Sequence, residues 1–149
     1  MDNNTLKPIS GEKYRHQNGI KAIKDGIKIS VEYSDEKSLK KPAWFKVPIP
    51  SGENFISLKN RVQKLNLSSV CEESKCPNIA ECWNHKTATL MVMGNVCTRA
   101  CKFCAVDTGN PNGWLDEDEP KNIADTIAFM SLEYVVLTSV DRDDLSDGG

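Results

Sequence analysis

The chain has 149 residues, 39% of them hydrophobic and 27% charged, with a formal charge of −2. That is one ordinary domain with apolar residues enough for a core, and its composition is neither disordered nor fibrous. So small a net charge gives no reason to expect a nucleic-acid or membrane-surface role.

The charge is unevenly placed. Residues 1–46 hold ten Lys and Arg against six Asp and Glu, a net of +4, and residues 47–149 hold nine against fifteen, a net of −6. The first part reads as a solvated basic leader and the second as an acidic folded part. The opening "MDNNTLKPISGEKYRHQ" has no apolar stretch, so it is not a secretory signal. The uncharged run from Thr87 to Thr98, twelve residues, is well short of the ~20 a membrane-spanning helix needs. A cytoplasmic location is expected, and with it reduced thiols.

In chain order, "IKAIKDGIKISVEY" alternates enough for a short strand or hairpin. "KKPAWFKVPIPSG" carries three prolines and reads as an extended arm. From Glu53 onward, Phe55, Leu58, Val62 and Leu65 fall on one helical face. Pro77 suits the opening turn of a helix over 78–84 that presents Cys82. "ATLMVMG" (Ala88 to Gly94) has strand length and ends in glycine. A helix follows "DEDEP", with Ile123, Ile127, Met130 and Tyr134 near helical spacing and Pro120 at its start. Asp116 to Glu119 read as a solvated helix start that favours the positive end of the dipole, not as a metal site. "YVVLTSV" (Tyr134 to Val140) reads as a second buried strand. Strand, cysteine loop, helix, strand makes a parallel, right-handed βαβ unit. Its chemistry belongs at the carboxyl ends of the strands, where "TSVDRDD" lies.

The cysteines carry the functional signal. All six lie in two short segments, "CEESKCPNIAECW" (Cys71, Cys76, Cys82) and "CTRACKFC" (Cys97, Cys101, Cys104). Disulfides fit poorly, because each triplet leaves one thiol over. Six thiols among Lys, Glu and Asn are not a core pattern. Structural zinc wants four ligands; His85 could complete the first triplet, and nothing comparable completes the second. Iron–sulfur clusters fit best, since thiolates are preferred ligands of iron–sulfide cubes. A cube held by three cysteines keeps one iron open for substrate.

CxxxCxxC with an aromatic before its last cysteine (Phe103) resembles the signature of radical S-adenosylmethionine enzymes. Together with "CEESKCPNIAECW", "TATLMVMG", "KPAWFK" and "YVVLTSVDRDDLSDGG", the chain closely resembles the lipoyl synthase family from about Lys41 to its last residue. The resemblance implies that Cys97, Cys101 and Cys104 hold the [4Fe–4S] cluster whose open iron binds S-adenosylmethionine, split by one electron into methionine and a 5′-deoxyadenosyl radical. It implies that Cys71, Cys76 and Cys82 hold an auxiliary [4Fe–4S] cluster consumed as the sulfur source. Two sulfurs then enter carbons 6 and 8 of a protein-bound octanoyl group. Expected partners are octanoylated lipoyl domains of 2-oxoacid dehydrogenases, the glycine-cleavage carrier protein and an electron donor, with no nucleic acid and no membrane.

No catalytic residue beyond the cluster ligands is expected. Thr138, Ser139 and Asp141 are candidates for S-adenosylmethionine contacts, with turn capping as their plain alternative. Arg99 and Lys102, between ligands, either tune the cluster or face solvent. Trp83 and Trp44 are expected to pack rather than relay electrons.

The implied fold is α/β, the opening part of a partial (β/α) TIM-like barrel preceded by an irregular extension. The expected divisions are a basic arm (1–52), a helical auxiliary-cluster segment (53–87) and the barrel start (88–149). Some features depart from the family's pattern. Asn95 stands where aspartate is usual, Ser68 where histidine is, and Lys86 where glycine is. The family's C-terminal serine ligand to the auxiliary cluster has no counterpart. The chain is therefore expected to be a fragment, inactive by itself. A non-catalytic zinc module and another radical S-adenosylmethionine enzyme are the alternatives.

Overall fold

A computed structural model describes residues 8–16, 18–27, 42, 44 and 49–149. The 28–33 part of the first strand-like segment and most of the proline-rich arm lie outside the described residues.

Eleven elements are described, in two small sheets and a helical layer. An N-terminal hairpin, β1 (Lys13–Arg15) and β2 (Lys21–Ile23), is antiparallel. Helix α1 (Glu53–Lys64) buries Phe55, Leu58 and Val62, as the spacing predicts. Leu65, the fourth member of the stripe, caps its end and packs partly buried against the core. Next come β3 (Ser68–Ser69), the single turn α2 (Val70–Glu73) and α3 (Ile79–Asn84), which starts at Asn78 and carries Cys82 as expected.

Strand β4 (Thr87–Val92) lies between β3, antiparallel, and β7 (Tyr134–Ser139), parallel, with Thr87 opposite Tyr134 and Val92 opposite Ser139. Helix α4 (Glu119–Met130), with Pro120 in its first turn, makes the crossover. The expected βαβ unit is thus present and parallel. Two details differ. Tyr134 begins the strand, because the helix stops at Ser131, which takes a left-handed φ of 47°. And β7 is not buried: Tyr134, Val136 and Leu137 are exposed, since β7 pairs on one side only.

The loop after β4 contains two strands that periodicity did not suggest. Short β5 (Val96–Cys97) and β6 (Asp107–Gly109) pair in parallel, and β6 also pairs with β2 of the hairpin. Gly109 permits this: a Cβ there would stand 2.4 Å from the carbonyl oxygen of Lys21. The N-terminal hairpin and the loop strands β5 and β6 are therefore joined in one sheet. The described residues form a mixed α/β structure, not a closed barrel.

The main core gathers Phe55, Leu58, Val62, Leu67, Trp83, Ala88, Leu90 and Ile123. Trp83 is fully buried against Phe55, ring centroids 5.5 Å apart, which is the packing role expected of it. Trp44 is 81% exposed. Lys86, where the family usually has glycine, sits at a left-handed φ of 55° just after α3, a position glycine occupies without strain.

The start of α1 lacks a side-chain cap of its own, since Gly52 stands at the N-cap. Asn84, at the end of α3, supplies one. Its Oδ1 accepts from the amide of Phe55 (3.1 Å), and its Nδ2 donates to the carbonyl of Ser51 (2.6 Å). Any Cβ on residue 52 would meet Asn84 at 2.3 Å, so glycine is required there. Through this contact α1 fixes the helix that carries Cys82.

Leu58 is fully buried at the centre of that packing. Leu58→Ala is expected to lower unfolding free energy by about 2–5 kcal/mol, read as the midpoint of urea denaturation.

Candidate functional site

Both cysteine segments are shaped by local backbone bonding. In the first, the Ser69 hydroxyl accepts from the amide of Cys71 (3.1 Å) and donates to the carbonyl of Thr89 (3.0 Å), fastening the segment to β4. The amide of Cys76 returns to the carbonyl of Cys71 (3.0 Å), and α3 then brings up Cys82. Burial first, then the neighbouring thiols of Cys71 and Cys76, push the Cys82 thiol above its usual range. A cavity of about 420 Å³ opens beside Cys71, bordered by Phe55, Lys59 and Ile79.

In the second segment, Cys97 ends β5, the amide of Cys104 donates to the carbonyl of Cys101 (3.0 Å), and the amide of Val106 donates to the Cys104 sulfur (3.5 Å). None of the six cysteines is in a disulfide; Cys101 is exposed and the others half-buried.

The donor set fits thiolate-bound cubes. Among the described residues, no three His, Cys, Asp or Glu side chains are gathered tightly enough for a single ion. A zinc site needs its donors within about 2.0–2.3 Å of one centre, whereas a cube sets each donor on a different iron. His85, the fourth ligand of the zinc alternative, lies exposed at the end of α3.

The second segment and the turn after β7 meet, as topology predicts. The amide of Thr98 donates to the carbonyl of Asp141 (3.0 Å), and the Thr98 hydroxyl accepts from the amide of Asp143 (3.1 Å). Arg99 donates twice to the Asp143 carboxylate (3.2 and 2.9 Å) and pairs with Asp141 at 3.0 Å. The Arg99 hydrogen bonds hold the Asp143 carboxyl at about 2, well below the usual carboxylate range. Of the predicted contact residues, Thr138 is half-buried, Ser139 exposed, and Asp141 already engaged by the cysteine loop. Lys102 is exposed.

Four charged residues to which sequence reasoning gave no structural role inside the fold hold these loops. Asp107, fully buried three residues after Cys104, accepts from the Tyr14 hydroxyl, from the amide of Asp25 (2.7 Å) and from the Lys24 ammonium (3.3 Å). Lys24 also pairs with Glu73 at 3.6 Å, and Lys75 pairs with Asp25 at 2.5 Å; Glu73 and Lys75 lie between Cys71 and Cys76. Hairpin, first segment and second segment thus share one ionic knot. Burial raises Glu73 above the usual carboxylate range, partly offset by Lys24 and by a hydrogen bond from Asn95. An aspartate at 95 could not donate that bond.

Glu119 is the second. Sequence reading placed it on a solvated face, but it is buried and accepts from the amides of Met93 (2.6 Å) and Gly94 (3.0 Å). The correction has a physical reason: β4 ends there, its last amides need acceptors, and a carboxylate on the incoming helix meets them. Arg142 and Asp144 complete the set. Arg142 is fully buried, forks onto Asp144 (2.7 and 2.8 Å) and donates to the carbonyls of Met93 (3.2 Å) and Trp114 (2.9 Å).

Removing the Asp107 carboxylate takes a partner from the half-buried Lys24 ammonium, the Tyr14 hydroxyl and the buried amide of Asp25. Asp107→Ala is expected to destabilise by about 3–5 kcal/mol, measured by chemical denaturation.

Asp144 gives a pH prediction. The Arg142 hydrogen bonds lower its carboxyl from 3.8 to about 2. Its stabilisation is therefore complete above 3.8 and is lost as pH falls towards 2. The thermal midpoint of Asp144→Asn is expected to start lower at neutral pH and to fall less than that of the native chain across this window.

Comparison with known proteins gives a consistent picture. The profile of the N-terminal domain of lipoyl synthase of the Radical_SAM family matches residues 13–76, and that of the Radical SAM superfamily matches residues 91–149. The chain is 58% identical over 141 residues to a lipoyl synthase of Marinobacter nauticus, covering 94% of this chain and 40% of that protein. It is 59% identical over 140 residues to one of Legionella pneumophila, covering 94% and 42%. With a lipoyl synthase of Francisella philomiragia the match is 56% over 149 residues, covering 100% and 45%. The chain spans about two-fifths of the length of these relatives.

Proposed function

We propose, for a chain that belongs to the lipoyl synthase family and corresponds to the N-terminal portion of its members, that it supplies the ligand sets of two [4Fe–4S] clusters used to insert sulfur into a protein-bound octanoyl group. Cys97, Cys101 and Cys104 would hold one cluster, with S-adenosylmethionine on its open iron. Cys71, Cys76 and Cys82 would hold the other. The β4–α4–β7 unit would be the opening of a partial (β/α) barrel. When bound, the first cluster supplies reductive cleavage of the sulfonium, and the second supplies sulfide for carbons 6 and 8.

The observation that carries this reading is the pair of cysteine triads, none in a disulfide, on two segments tied together by the Asp107 knot. The protein's own residues then do three things. The Thr98 and Arg99 bonds to the turn after β7 hold the second segment against the strand ends. Thr138 and Ser139, at those ends, offer hydroxyls towards S-adenosylmethionine, while Asp141 positions the loop. Neither histidine is required to move a proton. The acyl substrate would arrive on lipoyl domains or on the glycine-cleavage carrier protein. No helix among the described residues is long and apolar enough to cross a membrane.

Anaerobic reconstitution with iron and sulfide tests the assignment. About eight irons and eight sulfides per chain are expected, as two four-iron cubes require. Replacing Cys71, Cys76 and Cys82 together by alanine should leave about four, still able to bind S-adenosylmethionine. One or two zinc ions per chain in place of iron, with no visible absorbance, would refute the reading in favour of a zinc module.

A further inference from the structure

The hairpin presents a cationic face that nothing above has used. Register fixes which side chains share it: Lys13 stands opposite Ile23, Ile23 opposite Thr108, and Thr108 opposite Cys97. Paired positions in adjacent strands project to the same side. One row therefore runs from a lysine to a cysteine of the second triad. Beside it runs a second row, Arg15 opposite Lys21. On this face lies an open cavity of about 630 Å³, bordered by Lys13, Arg15, Lys21, Ile23, Thr98 and Thr108. Its apolar floor and basic rim contain no carboxylate. Among the described residues, none of Lys13, Arg15 and Lys21 has an acidic partner within ion-pair distance. The patch is a positive island on a chain whose residues 47–149 carry a net −6.

We infer that this face docks an acidic one-electron donor protein, a reduced flavoprotein or iron–sulfur carrier, beside the Cys97 cluster. The inference rests on the two-cluster reading. Charge complementarity selects an acidic partner and speeds its encounter. A small basic rim around an apolar floor suits the modest, transient interfaces of redox pairs. Position selects the donor over the acyl carrier. The register runs this face to Cys97 of the second triad, whereas an acyl arm must reach between both. In the step served, one electron leaves the donor's reduced centre and one enters the cluster held by Cys97, Cys101 and Cys104. No bond or proton moves on the docking face itself.

The probe is an acidic flavodoxin. Calorimetric titration of the 149-residue chain with its oxidised form, at low salt, reads docking without any turnover. Binding should weaken steeply as salt is raised, and the triple variant Lys13→Glu, Arg15→Glu, Lys21→Glu should bind at least about 30-fold more weakly. These exposed strand positions leave the knot intact, and iron content with circular dichroism checks the variant. With reconstituted chain, reduction by the flavodoxin hydroquinone should slow in parallel. Photoreduction by a small deazaflavin should be unchanged. Equal flavodoxin binding by variant and native chain would overturn the inference. So would a variant that keeps flavodoxin but loses affinity for an acidic octanoylated lipoyl domain. Salt-sensitive flavodoxin binding by a chain that takes up no iron would leave docking standing and remove the cluster reading. Full cluster assembly with no flavodoxin binding would do the reverse.

Discussion

A single carboxylate, that of Asp107, governs how the described parts meet. It is fully buried, and burying an unpaired charge is prohibitively costly. Every atom that makes its position tolerable comes from the N-terminal hairpin: the Tyr14 hydroxyl, the Lys24 ammonium and the amide of Asp25. Lys24 and Asp25 reach on to Glu73 and Lys75, between the first two cysteines. Satisfying one anion therefore fixes the relative places of two thiol segments and a hairpin. Around it, the hairpin can extend a sheet that includes the strand bearing Cys97.

The same logic recurs twice at the strand ends. Glu119 answers the amides at the end of β4, and Arg142 answers carbonyls of Met93 and Trp114 while forked onto Asp144. Both are charged residues used inside the structure to close turns that no regular element closes. They lie where β4 hands over to the cysteine loop. The loop is thus held by directional bonds at both ends, at Gly94 and at Asp107, while its middle, with Cys101 and Phe103, stays exposed. That division suits a segment that must present sulfur outward from a fixed base.

The helices α1 and α4 and the strand β4 were legible in the sequence because each repeats a burial choice several times; β7 was legible as a strand, but its exposure was not, since that depends on its pairing on one side only. The cysteine spacing was legible because six thiols in two short polar segments stand apart from a core pattern. The hairpin's partner strand was not legible. β5 and β6 have two and three residues, too few to show a period, and the pairing of Ala22 with Gly109 spans the chain. Asp107, Glu119 and Arg142 were missed for a related reason. A charged residue in a polar stretch looks solvated until its distant counterpart is known. Composition did expose the excess of Lys and Arg near the N-terminus. It did not show that three of them align on one sheet face.

The borrowed cap of α1 bears on how the protein is made. Asn84 follows Phe55 by 29 residues, so α1 leaves the ribosome with its leading amides unanswered. At ~5–20 residues per second, seconds pass before the missing acceptor is synthesised, and longer before it clears the exit tunnel. A helix in that condition frays from its front, and its apolar stripe is open to chaperones throughout. Nascent-chain folding here is thereby timed by the emergence of α3, the element that brings the third cysteine.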